Sequence, residues 1–255
     1  MSLQACAQLV EKADPVRFRA TMAAPVSARR ILFPLYAFNV EVARAPWVTE
    51  EPMIAEMRLQ WWRDALEEIS ENGPARRHEV VDALAEVLDP DGARCLDGLI
   101  AARRWDIYKD PFEDADHLDD YINATSGHLM WTTARLLGQA EEKVVRKFAF
   151  AQGVANLFRA VPELESRGRK PLVDGTTNGV YALAKKGIAG WSYACKARRA
   201  VSRAAAPALL SGYQAKPVLH RVYANPRLVA DGLPETHPLN ESLRFLHVAL
   251  RGWWV

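Results

Sequence analysis

The segment SARRILFPLYAFNVEVAR, residues 27–44, sets the fold class of this chain. Its apolar side chains recur at helical spacing, so one stripe of the predicted helix carries Ile31, Leu35, Phe38 and Val42. Pro34 lies inside this run, where a proline is tolerated only as a kink. Because an amphipathic helix buries its apolar stripe against other elements, the segment predicts a core built from helices.

The same periodicity continues through the rest of the chain. Helical patterns alternate with Gly, Pro and Asn breaks, and no alternating strand pattern exceeds four residues. No linker-like stretch divides the 255 residues. We therefore predict a single all-α domain over residues 1–255, a bundle of roughly nine to eleven helices. The helix that begins near Glu141 is expected to end at Pro162.

Composition and charge narrow the possible partners and compartment. The net charge is +2 with acids and bases intermixed, so we expect no nucleic-acid partner. The three cysteines, Cys6, Cys95 and Cys195, are far apart and form no CxxC pair, which favours a reducing compartment. The first residues carry early acids and no long apolar core, unlike a secretory signal. We expect a cytoplasmic protein.

The end of the chain leaves two interpretations open. No run of about 18 apolar residues is present to span a bilayer. The tail LRFLHVALRGWWV, residues 243–255, combines basic and aromatic residues and could make a peripheral contact with the inner membrane. Alternatively, Trp253 and Trp254 close the core around the last helix. We favour the second interpretation.

Metal and nucleotide motifs are missing from the sequence. The six histidines form no i, i+4 pair, and neither GxGxxG nor GxxxxGK[ST] occurs. The acidic cluster DADHLDD, residues 114–120, lies where a helix begins, and acids there complement the helix dipole. We therefore expect no metal site and no cofactor.

A second cluster of charged residues is basic. The block ANLFRAVPELESRGRKPL, residues 155–172, contains Arg159, Arg167, Arg169 and Lys170 around a predicted helix end. Cations near a helix C-terminus have a structural role, because they complement the dipole. They could also hold an anionic head group such as a diphosphate, since guanidinium groups match phosphate oxygens. From these residues alone we favour the structural role.

Four blocks, in order and at sensible spacing, carry a family resemblance. They are RFRATMAAPVSARRILFPLYAFNVEVA (17–43), DDYINATSGHLMW (119–131), AQGVANLFRAVPELESRGRKPL (151–172) and APALLSGYQAKPVLHRV (206–222). Together they resemble the squalene and phytoene synthases, which are head-to-head prenyltransferases with an all-α terpenoid-synthase fold. The resemblance implies that this chain is a terpenoid-synthase-like helical bundle.

In active members of that family, two DxxxD-type motifs face each other across a cavity. Carboxylates at i and i+4 share one helix face and offer oxygen ligands to Mg²⁺, which bridges to the substrate diphosphate. The resemblance places the first motif on Ala43 and Trp47, and the second on Ala160 and Leu164. All four carboxylates are missing, and prolines 46 and 162 are expected to interrupt both motif helices. The resemblance therefore implies no catalytic residues and no metal.

Other family positions keep residues that suit a ligand, although the family's glutamine three residues before Asn156 is Gly153 here. A single Glu163 is too few ligands for a magnesium cluster. The candidate ligand-binding residues that the resemblance implies are Tyr36, Gly127, Asn156, Arg159, Glu163, Arg167 and Arg169.

One further block narrows the branch of the family. MRLQWWRDALEEI, residues 57–69, resembles a bacterial and mitochondrial offshoot. Its mitochondrial members are similar to assembly factors for respiratory complex I and also lack the aspartate-rich motifs. This resemblance implies a pseudoenzyme that acts as an assembly or scaffold factor, with a subunit of a respiratory complex or a lipid as its partner.

Two alternatives stay open. The chain could be an active isoprenoid synthase whose Mg²⁺ site is rebuilt from other acids, for which the sequence offers Asp64, Glu67, Glu68, Asp119 and Asp120. It could also be a metal-independent isoprenoid-binding or lipid-binding protein that holds the head group with arginines. The central cavity discriminates between these hypotheses, because it would be open and acidic, open and basic, or filled.

Overall fold

A computed structural model describes residues 2–71, 73, 76–234 and 237–255 of the chain. In these residues we find no strand, which confirms the all-α prediction. The fourteen α-helices of the described residues are α1 (Ser2–Ala13), α2 (Pro15–Ala23), α3 (Val26–Arg44), α4 (Pro52–Ser70), α5 (Glu79–Ala85), α6 (Pro90–Arg103), α7 (Ala115–Ile122), α8 (His128–Leu137), α9 (Glu142–Ser166), α10 (Thr177–Lys196), α11 (Pro207–Leu210), α12 (Ala215–Ala224), α13 (Leu228–Asp231) and α14 (Pro238–Arg251).

Helix α3 is the centre of the N-terminal half. It runs without a break through Pro34, and every residue from 32 to 40 is buried. It packs against α1, α5 and α8. A helix that is buried on all sides lies inside a core rather than at its edge, so the predicted stripe of α3 is part of a wider buried surface. After Arg44 the chain tightens into a 3₁₀ turn, Ala45–Trp47.

Helix α9 has the corresponding place in the C-terminal half, where it packs against α8, α10 and α12. Our expectation that Pro162 ends this helix is wrong, because α9 continues to Ser166. A proline removes only one intrahelical hydrogen bond, and packing of the buried face outweighs that loss. The helix ends instead where Gly168 adopts φ +76°, a left-handed conformation that suits glycine.

The helical stretch from Ala115 to Leu137 contains an irregular segment. Helices α7 and α8 are joined by a π-helical segment, Asn123–Gly127, without a break in the helix. This segment packs closely on α9 at Gly153. A Cβ atom at that position would lie 2.5 Å from Cγ2 of Ile122 and 2.9 Å from Oγ of Ser126. Any side chain at Gly153, including the glutamine typical of the family, would therefore have to displace Ile122 and Ser126.

The tail after α14 folds back onto the protein. Trp253 is 3% exposed and packs edge-on against Phe148, with ring centroids 5.0 Å apart. The interpretation that Trp253 closes the core is confirmed, and Trp254 packs on it at 5.9 Å. Across the described residues, we identify no helix that combines the length and the apolar character needed to cross a membrane.

We predict that Gly153→Ala destabilises the protein by about 1–3 kcal/mol, because overpacking outweighs the roughly 1 kcal/mol that alanine adds to helix propensity. Chemical denaturation measures the free energy of unfolding. Gly127→Ala is the matched control, since its nearest neighbour is the mobile end of Arg146, 3.3 Å away. A Gly153→Ala protein at least as stable as the wild type would contradict the close contact.

Candidate functional site

A cavity of about 630 Å³ lies between the C-terminal end of α3 and the C-terminal half of α9. Its wall includes all four positions that the resemblance assigns to metal-binding carboxylates, Ala43, Trp47, Ala160 and Leu164. The α1–α2 junction, the end of α6 and the π-helical segment close the remaining sides. The four positions therefore surround one space, but they present two methyl groups, an indole and an isobutyl group to it.

Trp47 stands at a motif position where the family has an acid, and its ring contacts two cations. The guanidinium carbons of Arg167 and Arg169 lie 5.0 and 4.5 Å from the centroid of its ring. Cations at this range are attracted by the negative face of an indole. Sequence reasoning had no signal for this pairing, because the tryptophan precedes the two arginines by more than one hundred residues.

Arg169 is almost completely buried, with 8% of the residue exposed. Its guanidinium donates to the carbonyl oxygen of Tyr108 at 2.9 Å and to the carbonyl oxygen of Asp106. Burial lowers the pKa of Arg169, but an arginine remains charged at any physiological pH. The two carbonyls and the indole of Trp47 together compensate for the lost hydration of this charge. Arg167, in contrast, is exposed and forms an ion pair with Glu163 at 2.7 Å.

A second polar cluster on the wall joins Arg103, Asp106 and Tyr121. Arg103 donates to the carboxylate of Asp106 and to the hydroxyl of Tyr121, each at 2.8 Å, and Tyr121 donates to Asp106 at 2.8 Å. Burial raises the pKa of Tyr121, so the phenol stays protonated. Beside this cluster, Trp105 stacks on Phe112 with centroids 3.9 Å apart. Sequence reasoning missed this cluster; only the block around Tyr121 offered a signal.

The cavity carries more positive than negative charge. Five arginines line it, namely Arg17, Arg44, Arg103, Arg167 and Arg169. Three carboxylates line it, namely Asp14, Asp106 and Glu163. The difference is an excess of two positive charges on the wall, and one of the two, Arg44, pairs at 2.7 Å with Glu41, which lies outside the wall. Each carboxylate also pairs with one of the arginines, Asp14 with Arg17, Asp106 with Arg103 and Glu163 with Arg167. The sequence left three forms for the central cavity: open and acidic, open and basic, or filled. The structure shows the open and basic form.

The residues on the wall of this cavity do not form a site for the Mg²⁺ ions that active members of the family bind. A magnesium site needs several oxygen ligands converging on one point. Here each carboxylate is held by its own arginine, and the four motif positions have no oxygen in their side chains. Throughout the part of the chain that the structure describes, no three His, Cys, Asp or Glu side chains group in a way that could hold a metal ion.

The acids named for a rebuilt metal site lie elsewhere. Asp64 and Glu68 both pair with Arg76, at 3.6 and 2.7 Å. Asp119 pairs with Lys186 in a different cavity. Glu67 and Asp120 are not on the wall of the cavity between α3 and α9. The five acids therefore do not converge on the positions where a diphosphate would bind in the synthases.

The structure brings together only part of the candidate ligand-binding set. Asn156, Glu163, Arg167 and Arg169 line the cavity, whereas Tyr36, Gly127 and Arg159 do not. Arg159 is three residues after Asn156 and four before Glu163, so it lies at the edge of the face of α9 that borders the cavity. Its guanidinium donates to the side chain of Gln214, which is not on the cavity wall.

The other two excluded residues have structural surroundings. Tyr36 is 2% exposed, and burial raises its pKa to about 12. Arg17, which does line the cavity, stacks over the Tyr36 ring at 5.4 Å. Gly127 faces the side chain of Arg146 instead of the cavity. Tyr36 and Gly127 therefore pack around the cavity and are not part of its wall.

A separate cavity of about 730 Å³ lies between α7, α9 and α10. None of the four motif positions lines it. Its wall carries four cations and two carboxylates, the same excess of two positive charges as in the cavity between α3 and α9, so charge does not distinguish the two cavities. The motif positions do, and the cavity between α3 and α9 is therefore the better candidate for a functional site.

Comparison with known proteins agrees with this geometry. A family model described as squalene/phytoene synthase matches residues 10–173. Two solved structures share the fold. A dehydrosqualene synthase in complex with ligand has a TM-score of 0.80 and 14% identity, and the match covers 98% of this chain and 96% of that one. The squalene synthase HpnC from Alicyclobacillus acidocaldarius has a TM-score of 0.75 and 15% identity, and the match covers 91% of this chain and 95% of that one. At these identities the likeness establishes the fold alone, and it confirms the predicted terpenoid-synthase-like bundle.

Curated relatives carry a different description. The NADH dehydrogenase (ubiquinone) complex I, assembly factor 6 homolog of Drosophila melanogaster is 31% identical over 177 residues, which cover 66% of this chain and 53% of the relative. The assembly factor 6 of Homo sapiens is 25% identical over 166 residues, covering 64% of this chain and 50% of the relative. The chain thus spans about half the length of the curated relatives that it matches.

We predict that Arg169→Ala lowers stability by about 2–4 kcal/mol, because two buried carbonyls lose their donor and Trp47 loses a cation. Arg167→Ala is the matched control: it contacts the same indole but is exposed, so its cost should stay below about 1 kcal/mol. The free energy of unfolding is measured for both variants. Equal losses for the two variants would show that burial of Arg169 is not the stabilising factor.

Proposed function

Because the chain belongs to the squalene/phytoene synthase family, we propose that it is a member without prenyltransferase activity that acts as an assembly or scaffold factor, with respiratory complex I as its target. One observation carries this proposal. The fold contains a cavity between α3 and α9, and Ala43, Trp47, Ala160 and Leu164 stand on its wall where the family resemblance requires carboxylates.

The loss of acids changes the chemistry that the cavity can support. Ionisation of a prenyl diphosphate separates charge, and bound cations ordinarily neutralise the leaving group. Trp47 and Leu164 supply no oxygen ligand, and Arg167 and Arg169 lie over the indole of Trp47. This arrangement supports a protein that uses neither Mg²⁺ nor another cofactor.

The similarity to complex I assembly factors supports the choice of target. An assembly factor offers a surface to a subunit, and it needs a stable fold more than a reactive site. We propose that the partner is a subunit of the respiratory complex. Since that complex is embedded in a membrane, we also propose that the protein works on the cytoplasmic side, peripheral to the inner membrane.

We expect purified protein to form no C30 or C40 product from farnesyl or geranylgeranyl diphosphate in the presence of Mg²⁺, because the acids that would bind the metal are missing. Product formation is measured by chromatography of the extracted lipids. An active squalene synthase assayed in parallel is the positive control. Turnover well above the level without enzyme would rule out the non-catalytic proposal and favour the rebuilt metal site.

For the assembly role, we expect deletion of the gene in its own host to reduce fully assembled complex I severalfold. Native gel electrophoresis of the membranes measures the complex, and an unrelated respiratory complex on the same gel is the internal control. Re-expression of the wild type should restore assembly. Unchanged complex I in the deletion strain would remove complex I as the target.

A second candidate function is metal-independent binding of an isoprenoid or another anionic lipid. The observation in its favour is the basic cavity, whose wall includes Arg17, Arg44, Arg103, Arg167 and Arg169. Guanidinium groups match the oxygen atoms of a phosphate or diphosphate head group, so such a group could be held without a metal. Binding of this kind is compatible with an assembly role.

We predict that, if this second function holds, farnesyl diphosphate at 100 times its Kd stabilises the protein by about 2.7 kcal/mol, which raises Tm by roughly 5–10 °C. The rise in Tm should persist in EDTA. It should be smaller in Arg17→Met, because Arg17 lies on the cavity wall. Arg104→Met is the control, because Arg104 pairs with Glu56 away from the cavity wall. A shift that EDTA abolishes, or no shift at all, would contradict metal-independent binding.

A further inference from the structure

Helix α14 carries four strongly exposed leucines. Their exposed fractions are 68% for Leu239, 66% for Leu243, 53% for Leu246 and 77% for Leu250. Spacings of four, three and four residues place them on one side of the helix, which we call the leucine face. A continuous apolar strip in water is unfavourable, and such strips mark interaction sites.

The opposite side of α14 attaches the helix to the protein. Phe245 packs edge-on against Tyr213, with centroids 5.0 Å apart, and Val248 is buried. Glu241 accepts hydrogen bonds from Tyr213 at 2.7 Å and from Gln214 at 2.6 Å. Because these contacts hold one side of the helix, the leucine face is directed away from the body of the protein.

Charge selects the kind of partner. His247 and Asn240 border one side of the leucine face, with Arg251 and Arg244 farther round the helix on the same side, and the other flank carries Ser242 and Ala249. The only acid in α14 is Glu241, which is on the attached side. The outward surface of α14 therefore offers leucines and cations without a carboxylate, which complements a surface that is anionic outside and apolar beneath.

We propose that the leucine face of α14 docks on a lipid bilayer that contains anionic lipids. The leucines enter the boundary between head groups and acyl chains, and the arginine side chains reach the lipid phosphates. The tail aromatics are not the anchor, since Trp253 is buried in the core. This inference deepens the peripheral location proposed above by naming the surface and the lipid class.

A second copy of the chain fits the leucine face less well. Four leucines can bury roughly 250–500 Å² on each side, whereas a stable interface buries about 800 Å² per partner. Paired α14 helices would also place a cationic flank against a cationic or neutral one, without the acids that stabilise coiled-coil pairs.

The test is co-sedimentation of the full chain with vesicles of phosphatidylcholine alone and of phosphatidylcholine mixed equally with phosphatidylglycerol. We expect binding to the anionic vesicles only, weakened by salt. Leu243→Ser/Leu246→Ser should reduce the partition coefficient at least about tenfold, through lost apolar burial. Arg251→Gln should reduce it about fivefold.

Met53→Ser/Met57→Ser is the matched control, because these α4 side chains are as exposed, at 75% and 66%, but lie outside the leucine face. Circular dichroism verifies that each variant is folded, and exposed positions are chosen so that the fold survives. The control should bind like the wild type. No vesicle binding, equal loss in both double variants, or a dimer that only the leucine changes dissociate would each overturn the proposal.

Vesicle binding requires no respiratory complex, so its failure is distinct from failure of the assembly role. If the protein binds vesicles but its deletion leaves complex I unchanged, the docking proposal stands and the assembly proposal fails. If complex I requires the protein but the protein does not bind anionic vesicles, only the docking proposal fails.

Discussion

The burial of one guanidinium ties the candidate site together. Arg169 follows the end of α9, its two carbonyl acceptors belong to residues 106 and 108 after α6, and the indole over which it stacks belongs to Trp47 after α3. A buried charge must recover the interactions it loses with water, so these three segments cannot separate without a large cost. The shape of the cavity between α3 and α9 depends on this constraint.

The same constraint explains how the fold can hold its two helix ends together without carboxylates at the four motif positions. In a metal-dependent enzyme, facing carboxylates repel one another and need cations to remain close. Here the two helix ends meet through Trp47 and arginines, and the lining carboxylates are neutralised within the protein. The fold therefore does not need a bound ion to hold its centre. Its cavity carries more arginines than carboxylates.

Helix α14 shows a comparable division between its two sides. Phe245 and Val248 attach it to the protein, and four leucines on the other side remain in water. The central cavity and the leucine face are thus separate features with different chemistry. One is a basic pocket enclosed by helices, and the other is a linear apolar strip flanked by cations. Both features suit the scaffold role proposed above, because each offers a binding surface.

The sequence by itself determined the helical class and the identity of the residues at the four motif positions. Helical periodicity is local, so it can be read along α3 and α9, and a missing carboxylate is visible without coordinates. Periodicity also places Asn156, Ala160 and Glu163 on one face of α9, whereas the contact of Arg159 with Gln214 at the edge of that face could not be read from spacing. Only the tertiary structure decided that α9 passes through Pro162, that Arg103, Asp106 and Tyr121 form one cluster, and that Arg169 is buried under Trp47. These outcomes depend on contacts between segments distant in the chain, where packing and desolvation outweigh local propensity.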